Sequence, residues 1–208
     1  MNTSSITKHA TGTALAGLLA LASPAASTDN ASTPATVTSP LATELIGAWV
    51  LVGTPGKVGE VPAAGGRFKV FTGRYSCITE ADPKSGVVLF HHGGPYTLKG
   101  DDYFETVEYA NPSTMSFIGG TNGHFKLSIE HGLLTLVGVA NPWKEVCKRA
   151  DAQATAPAGP AGGLLGTWVL VGAPGKTAEA PTTGGRLKFV TASYWLDTQA
   201  DPKTGVIL

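Results

Sequence analysis

Leu45-Ile46-Gly47-Ala48-Trp49-Val50-Leu51-Val52-Gly53 is the stretch on which the fold turns. A Gly-x-Trp start leading into an apolar run reads as the opening strand of a small β-barrel. The stretch returns as Leu164-Leu165-Gly166-Thr167-Trp168-Val169-Leu170-Val171-Gly172, and the residues that follow stay in step. Set against each other without a gap, 45–89 and 164–208 match at 26 of 45 positions. Pro55/Pro174, Arg67/Arg186, Lys69/Lys188, Tyr75/Tyr194 and the turn Asp82-Pro83-Lys84/Asp201-Pro202-Lys203 are among the matches. A repeat of that length marks two starts of one structural unit.

Around these copies the composition is that of a turn-rich β protein. The 208 residues include 27 Gly and 14 Pro, which suits many short strands better than long helices. Basic and acidic residues number 15 each, for a formal net charge of +0, and charged residues are only 14% of the chain. No basic field exists to recruit nucleic acid, and no polybasic run suggests a membrane surface. No apolar run reaches the roughly 18 residues of a membrane-spanning helix. Two cysteines, Cys77 and Cys147, are too few for a disulfide framework. In an oxidising compartment they can pair, for about 2–4 kcal/mol; otherwise they are two buried thiols. Leu196 stands at the position of Cys77 in the second copy, so the fold needs no sulfur there.

Residues 1–27 read as a secretory signal, which makes the protein secreted or periplasmic. Lys8 and His9 open it, Ala10 to Ala22 is a small-residue apolar stretch, and Pro24-Ala25-Ala26-Ser27 offers a small-x-small cleavage site. Residues 28–42 are dominated by Thr, Ser, Ala and Pro and read as a flexible tether. Residues 151–163, rich in Ala, Pro and Gly, form a second linker.

Between the linkers, 43–150 reads as strand and turn throughout. Arg67 to Phe71 alternates basic with apolar, so Phe68 and Val70 are expected inside with Arg67 and Lys69 in water. Asp82-Pro83-Lys84-Ser85-Gly86 is a turn, Gly65-Gly66 and Gly93-Gly94 read as turn glycines, and Lys99-Gly100-Asp101 is a hairpin into a strand Tyr103–Tyr109. Met115 to Ile118 is a short run, Phe125-Leu127-Ile129 marks a half-buried strand, and Trp143 to Arg149 closes the set. About 8–10 short strands at regular spacing indicate an all-β antiparallel barrel or sandwich. Residues 164–208 stop in what would be a fourth strand, so the second copy reads as incomplete. An open sheet of that size exposes edges and an apolar face. The first reading of this is a truncated copy; the alternative is that it docks on another sheet edge or finds its missing half in a second chain, by self-association.

Gly47-x-Trp49, Arg67-x-Lys69, Asp82-Pro83-x-x-Gly86, Tyr96-Thr97-Leu98-Lys99-Gly100-Asp101, Glu105 and Glu145-Val146-Cys147-Lys148-Arg149 together resemble the bacterial lipocalin-like domain family. The resemblance covers 43–150 in full and 164–208 as a first half. It implies a lipocalin-like (calycin-type) barrel that binds a small molecule in its interior. It also implies that the first tryptophan packs at the closed end against a basic residue near the end of the domain, here Trp49 against Arg149. An arginine on an indole face gains about 0.5–2 kcal/mol.

If Arg149 meets Trp49, period-2 alternation puts Cys147, Glu145 and Trp143 on the inward side. Tyr103, Glu105, Val107 and Tyr109 form the corresponding face of the strand 103–109. Tyr75, Tyr96, Tyr103, Glu105 and Glu145 are therefore the candidate ligand-binding residues: aromatic walls with a few polar anchors. The competing arrangement leaves both glutamates in solvent and the tyrosines as cross-strand packing. Glu105 and Glu145 are also the one pair able to act as acid and base in a barrel enzyme. His91-His92, His124 and His131 lack metal spacing, because adjacent strand residues face opposite ways. No phosphate-cradling loop and no nucleophile elbow occur, so neither a cofactor, a metal nor a catalytic residue is assigned. The expected function is binding of a small apolar or amphipathic molecule. An isomerase-, cyclase- or hydrolase-type barrel and a structural or adhesion module are the alternatives.

Overall fold

The computed structural model describes residues 39–120, 123–150, 164–181, 184–192 and 194–208. The signal expected over 1–27 and the linker 151–163 lie outside the described residues.

The first element begins inside the expected tether. Ser39 caps α1 (Pro40–Leu45), its hydroxyl accepting the Ala42 N–H at 3.1 Å, and a proline opens the first turn. The helix places Leu41 and the fully buried Leu45 against the barrel interior, so this short segment is part of the domain.

The first copy then runs β1 (Gly47–Thr54), β2 (Lys57–Val58), β3 (Gly66–Phe71), β4 (Tyr75–Ala81), β5 (Val88–Lys99), β6 (Asp102–Glu105), β7 (Tyr109–Ala110), β8 (His124–Glu130), β9 (Leu133–Gly138) and β10 (Lys144–Arg149). Among the described residues the only other regular element of this copy is a 3₁₀ turn at Met115–Phe117, where the sequence reads as a short run. Eight strands close in the order β1-β3-β4-β5-β6-β8-β9-β10, with β10 pairing back onto β1. Every pairing in the ring is antiparallel. The all-β antiparallel barrel expected from the sequence is the fold.

Trp49 sets the phase of this ring. Its side chain is fully buried, its Nε1–H donates to the Leu45 carbonyl at 2.8 Å, and the Arg149 guanidinium lies 4.2 Å from the ring centroid. Arg149 also donates to the carbonyls of Ile46 and Glu44, tying the last strand to the end of α1. Opposed residues of an antiparallel ladder share a face. The register therefore carries one inward row around the wall: Arg149, Trp49, Lys69, Ile78, His92.

This overturns the expected orientation of β3. Arg67 and Lys69 point into the barrel, while Val70 and Phe68 belong to the cluster on the outer wall. Alternation misled because both faces of the strand are covered. Two outward rows, Ala48-Val70-Cys77-Gly93-Tyr109 and Val50-Phe68-Thr79-His91, lie beneath the second copy.

That copy forms β11 (Gly166–Val169), β14 (Gly185–Val190) and β15 (Trp195–Ala200) as one sheet, with β12 (Gly172–Ala173) and β13 (Lys176–Thr177) as a separate hairpin. Leu187, Phe189 and Ala200 join the outer-wall cluster. Phe189 meets Tyr75 and Tyr109 at ring separations of 6.4 and 6.5 Å, and Tyr194 meets Phe68 at 5.8 Å. Polar contacts stitch the same interface: Thr72 to Thr167 at 2.8 Å, and His91 Nε2 to Thr198 at 3.0 Å. The last residues join the barrel through backbone, Ala110 N–H donating to Gly205 at 2.9 Å and Ile207 N–H to Ala110 at 3.0 Å. The apolar face that would stand outside a second barrel is thus buried on the first.

Two further expectations change. Gly93 and Gly94 sit inside β5, not at a turn, because 106–109 crosses over them; a Cβ on Gly94 would lie 2.0 Å from the Thr106 carbonyl oxygen. The chain accordingly breaks after Glu105 and passes to the outer wall, so Tyr109 is not on the inward face with Tyr103 and Glu105. The two thiols also part: Cys77 is buried in the outer-wall cluster and Cys147 in the interior one. Both are free thiols in separate clusters, and burial pushes each up to about 12.

The repeated motif separates local from tertiary effects. Trp168 makes the same indole hydrogen bond, to Leu164 at 2.8 Å, yet stands 48% exposed. Trp49→Ala is expected to cost about 3–5 kcal/mol and Trp168→Ala less than about 1 kcal/mol in urea denaturation. Equal losses would show that the local motif, not closure of the barrel, sets the energy.

Candidate functional site

The barrel interior divides at about the middle of its strands. The lower half is filled by side chains: Trp49, Phe71, Tyr103, Leu127, Leu134, Leu136 and Cys147 pack with α1 at the closed end. Tyr96 belongs to this floor, its ring 5.8 Å from Phe71 and 5.5 Å from Tyr103, and its hydroxyl donates to the Thr72 carbonyl at 2.7 Å. Above the floor lies a cavity of about 80 Å³, open at the mouth.

Apolar side chains, Ile78, Phe90, Val107, Phe117, Phe125 and, at the lip, Trp143, line that cavity. Charged groups are interleaved with them. Lys69 Nζ meets Glu145 Oε2 at 2.7 Å, Arg67 Nη1 meets Glu145 Oε1 at 3.0 Å, and Arg67 Nη2 meets Glu80 Oε2 at 2.7 Å. Lys69 and Glu145 are each only 7% exposed. Two cations on β3 and two carboxylates, one on each side of that strand in the wall, balance where desolvation would make a lone charge very costly. The Arg67 guanidinium also lies over the Phe90 ring at 4.5 Å.

Burial opposes the charged form of Glu145, but Lys69 and Arg67 outweigh it and hold the carboxyl below its ordinary value. Glu105 goes the other way. Burial raises it more than Lys69 and the hydrogen bond from Tyr103, at 3.0 Å, lower it. His92 is the remaining polar group of the lining: 5% exposed, with Nδ1 lacking any hydrogen-bond partner among the described residues. An unsatisfied buried nitrogen costs about 1–3 kcal/mol. Burial, with Lys69 and Arg67 nearby, pushes the His92 imidazole down to about 3.

Of the expected site residues, Glu105 and Glu145 line the cavity. Tyr103 lies just below it, linked to Glu105, and Tyr96 lies in the floor. Tyr75 is a correction. It follows the outer wall, packs on Phe189 and lines the cleft between barrel and second copy. Arg67, Lys69, His92 and Phe90 are cavity residues that strand alternation did not select. One signal was present for the first two: both recur as Arg186 and Lys188, whereas Phe68 and Val70 change to Leu187 and Phe189.

The adjacent histidines do face opposite ways, His92 into the cavity and His91 under the second copy. His124 pairs with Asp102 at 2.8 Å and stacks on Phe104 at 4.2 Å, and His131 sits in the β8–β9 turn at φ 51°. Among the described residues no group of three His, Cys, Asp or Glu is placed to hold a metal ion, and no helix is long and apolar enough to cross a membrane.

No family model matches the chain, and no curated protein matches it. Among solved structures it is similar to an uncharacterized protein of Bacteroides eggerthii DSM 20697, at 23% identity over 50% of this chain and 98% of that one, with a TM-score of 0.36.

The buried imidazoles predict acid lability. Burial pushes His91 down to about 4 and His92 to about 3, while an unfolded histidine titrates near 6.5. Below pH 6.5 the unfolded chain takes up protons that the folded chain refuses. Stability intact above pH 6.5 is therefore lost as pH falls toward 4 and then 3, by roughly 3 kcal/mol for His91 and about 5 kcal/mol for His92. Thermal melts from pH 7.5 to 4 are expected to show a falling Tm, flatter in His91→Gln. A pH-independent Tm would place both imidazoles in water.

Proposed function

We propose that the protein is an exported, lipocalin-like binding protein that holds a small apolar or amphipathic molecule in the upper half of its barrel, without catalysis. The observation that carries this reading is the cavity itself. The lower interior is filled, whereas the upper half keeps an apolar-walled space with a few fixed polar groups, the composition of a small-ligand site. Its modest volume favours a compact ligand over a long-chain lipid held entirely inside. Export rests on the apolar, small-residue segment of 10–27.

A second reading, a barrel enzyme, draws on the opposed shifts of Glu105 and Glu145, which would suit an acid and a base. Against it, Glu145 is bound by two cations, which removes the basicity a proton acceptor needs.

Native mass spectrometry of the protein purified gently from its own host tests the binding reading. A small-molecule adduct that is released on denaturation is expected, and Val107→Phe, which fills the cavity wall, should abolish it. Wild-type protein that carries no adduct under any gentle condition would overturn binding in favour of a structural role.

A further inference from the structure

We propose that this cavity takes a protonated amine carried on a short apolar tail, with Glu105 as the group that binds the ammonium. The inference deepens the binding reading above and rests on it.

Glu105 ends β6 on the same face as Tyr103, half-buried and lining the cavity. Its stem is fixed. The Glu105 N–H donates to the Gly123 carbonyl at 2.8 Å, and a Cβ on Gly123 would lie 2.6 Å from the Glu105 Cγ, so the glycine leaves this side chain its place. One carboxyl oxygen, Oε2, accepts the Tyr103 hydroxyl at 3.0 Å. The other, Oε1, has no hydrogen bond or ion pair among the described residues. Nor is it sealed: among the described residues the enclosed side-chain atoms without a partner are His92 Nδ1 and Tyr109 Oη. An inward carboxyl oxygen that is neither bonded nor enclosed opens on the cavity, within reach of a ligand there.

Charge chooses the partner. Arg67 and Lys69 stand among three carboxylates, Glu80, Glu105 and Glu145. Glu80 and Glu145 engage both cations in ion pairs of 2.7 to 3.0 Å, and Glu105 has none. Lys69 attracts Glu105 through space while its ammonium bonds Glu145, and burial still raises the Glu105 carboxyl above its ordinary value. A carboxylate accepts and does not donate. With an ammonium it forms a charge-assisted hydrogen bond, about twice as strong as a neutral one. An entering carboxylate or phosphate meets the opposite situation, losing its hydration among cations that are already matched.

The rest of the lining suits the same ligand. Phe125 stands opposite Tyr103 in the β6–β8 ladder, diagonal to Glu105, and Phe117 and Trp143 line the cavity with it. Aromatic rings attract a cation and also cover an apolar tail. A volume of about 80 Å³ is room for roughly five waters at about 15 Å³ each, which fits a short-chain amine.

Propylammonium, 1-propanol and acetate are matched in size and small enough for this space. Each is titrated into the full chain at pH 7 and constant ionic strength, with binding read from the amide NMR signals of Val107 and Phe125. Wild type is expected to bind propylammonium at least about tenfold more tightly than 1-propanol, and acetate most weakly. Glu105→Gln keeps the size of the side chain and removes its charge, and should bring propylammonium and 1-propanol to within about threefold of each other. The wild-type ranking tests the proposal by itself, whatever the variant does to folding. Equal or tighter binding of 1-propanol or acetate by wild type overturns it, as does a folded Glu105→Gln that keeps the full preference. If none of the three moves these signals the inference also falls, while the binding reading is decided separately by the adduct carried from the host.

Discussion

Burial of the Trp49 indole constrains everything above it. The ring is sealed between the carbonyl end of α1, to which its N–H donates, and the guanidinium of Arg149. Arg149 is in turn anchored on the carbonyls of Glu44 and Ile46, so helix, first strand and last strand meet at one side chain. Ladder geometry then transmits its orientation sideways, through Lys69 and Ile78 to His92. A one-residue slip would exchange the faces of a whole strand. It would strand Arg67 and Lys69 beneath the second copy, away from Glu145, and would push Val70 and Phe68 against the carboxylates.

The outer wall is as much a core as the interior. Ala48, Val50, Val70, Cys77 and Tyr109 are buried because Leu187, Phe189 and Ala200 of the second copy lie over them. The same repeat residues thus do different work in the two copies. In the first, Arg67 and Lys69 are enclosed with carboxylates; in the second, Arg186 and Lys188 stand exposed on the open face, sharing Asp197. Local geometry survives this change, as the matching indole hydrogen bonds of Trp49 and Trp168 show. Burial does not, since it depends on neighbours that only a closed ring supplies.

Within the closed ring the polar wall is organised by compensation. Desolvation disfavours every charge there, and mutual pairing offsets it for Lys69, Arg67 and Glu145. Glu105 accepts the Tyr103 hydroxyl, and burial raises its carboxyl above the ordinary value against the pull of Lys69. His92, beside the cations, is held neutral. The cavity therefore combines apolar surface with a few fixed polar groups, and the ion pairs hold the charged ones in place.

Much of this was legible in the chain alone. The apolar run after Gly47-x-Trp49, the turn at Asp82-Pro83 and the alternation at Phe125-Leu127-Ile129 require short strands, and the echo at Trp168 requires a second start of the same unit. Alternation from Arg149 correctly turns Cys147 and Glu145 inward, and alternation from Tyr103 does the same for Glu105. The phase of β3, the outward turn of Tyr75 and the entry of His92 into the cavity were decided only in three dimensions. Period-2 alternation identifies an inner face only when the other face is wet. Here both faces are covered, so the pattern Arg67-Phe68-Lys69-Val70 reads equally well in either phase. What breaks the tie is the distant pairing of β1 with β10, which buries Trp49, and the docking of Phe189 on the outer wall; neither is a property of any strand taken by itself.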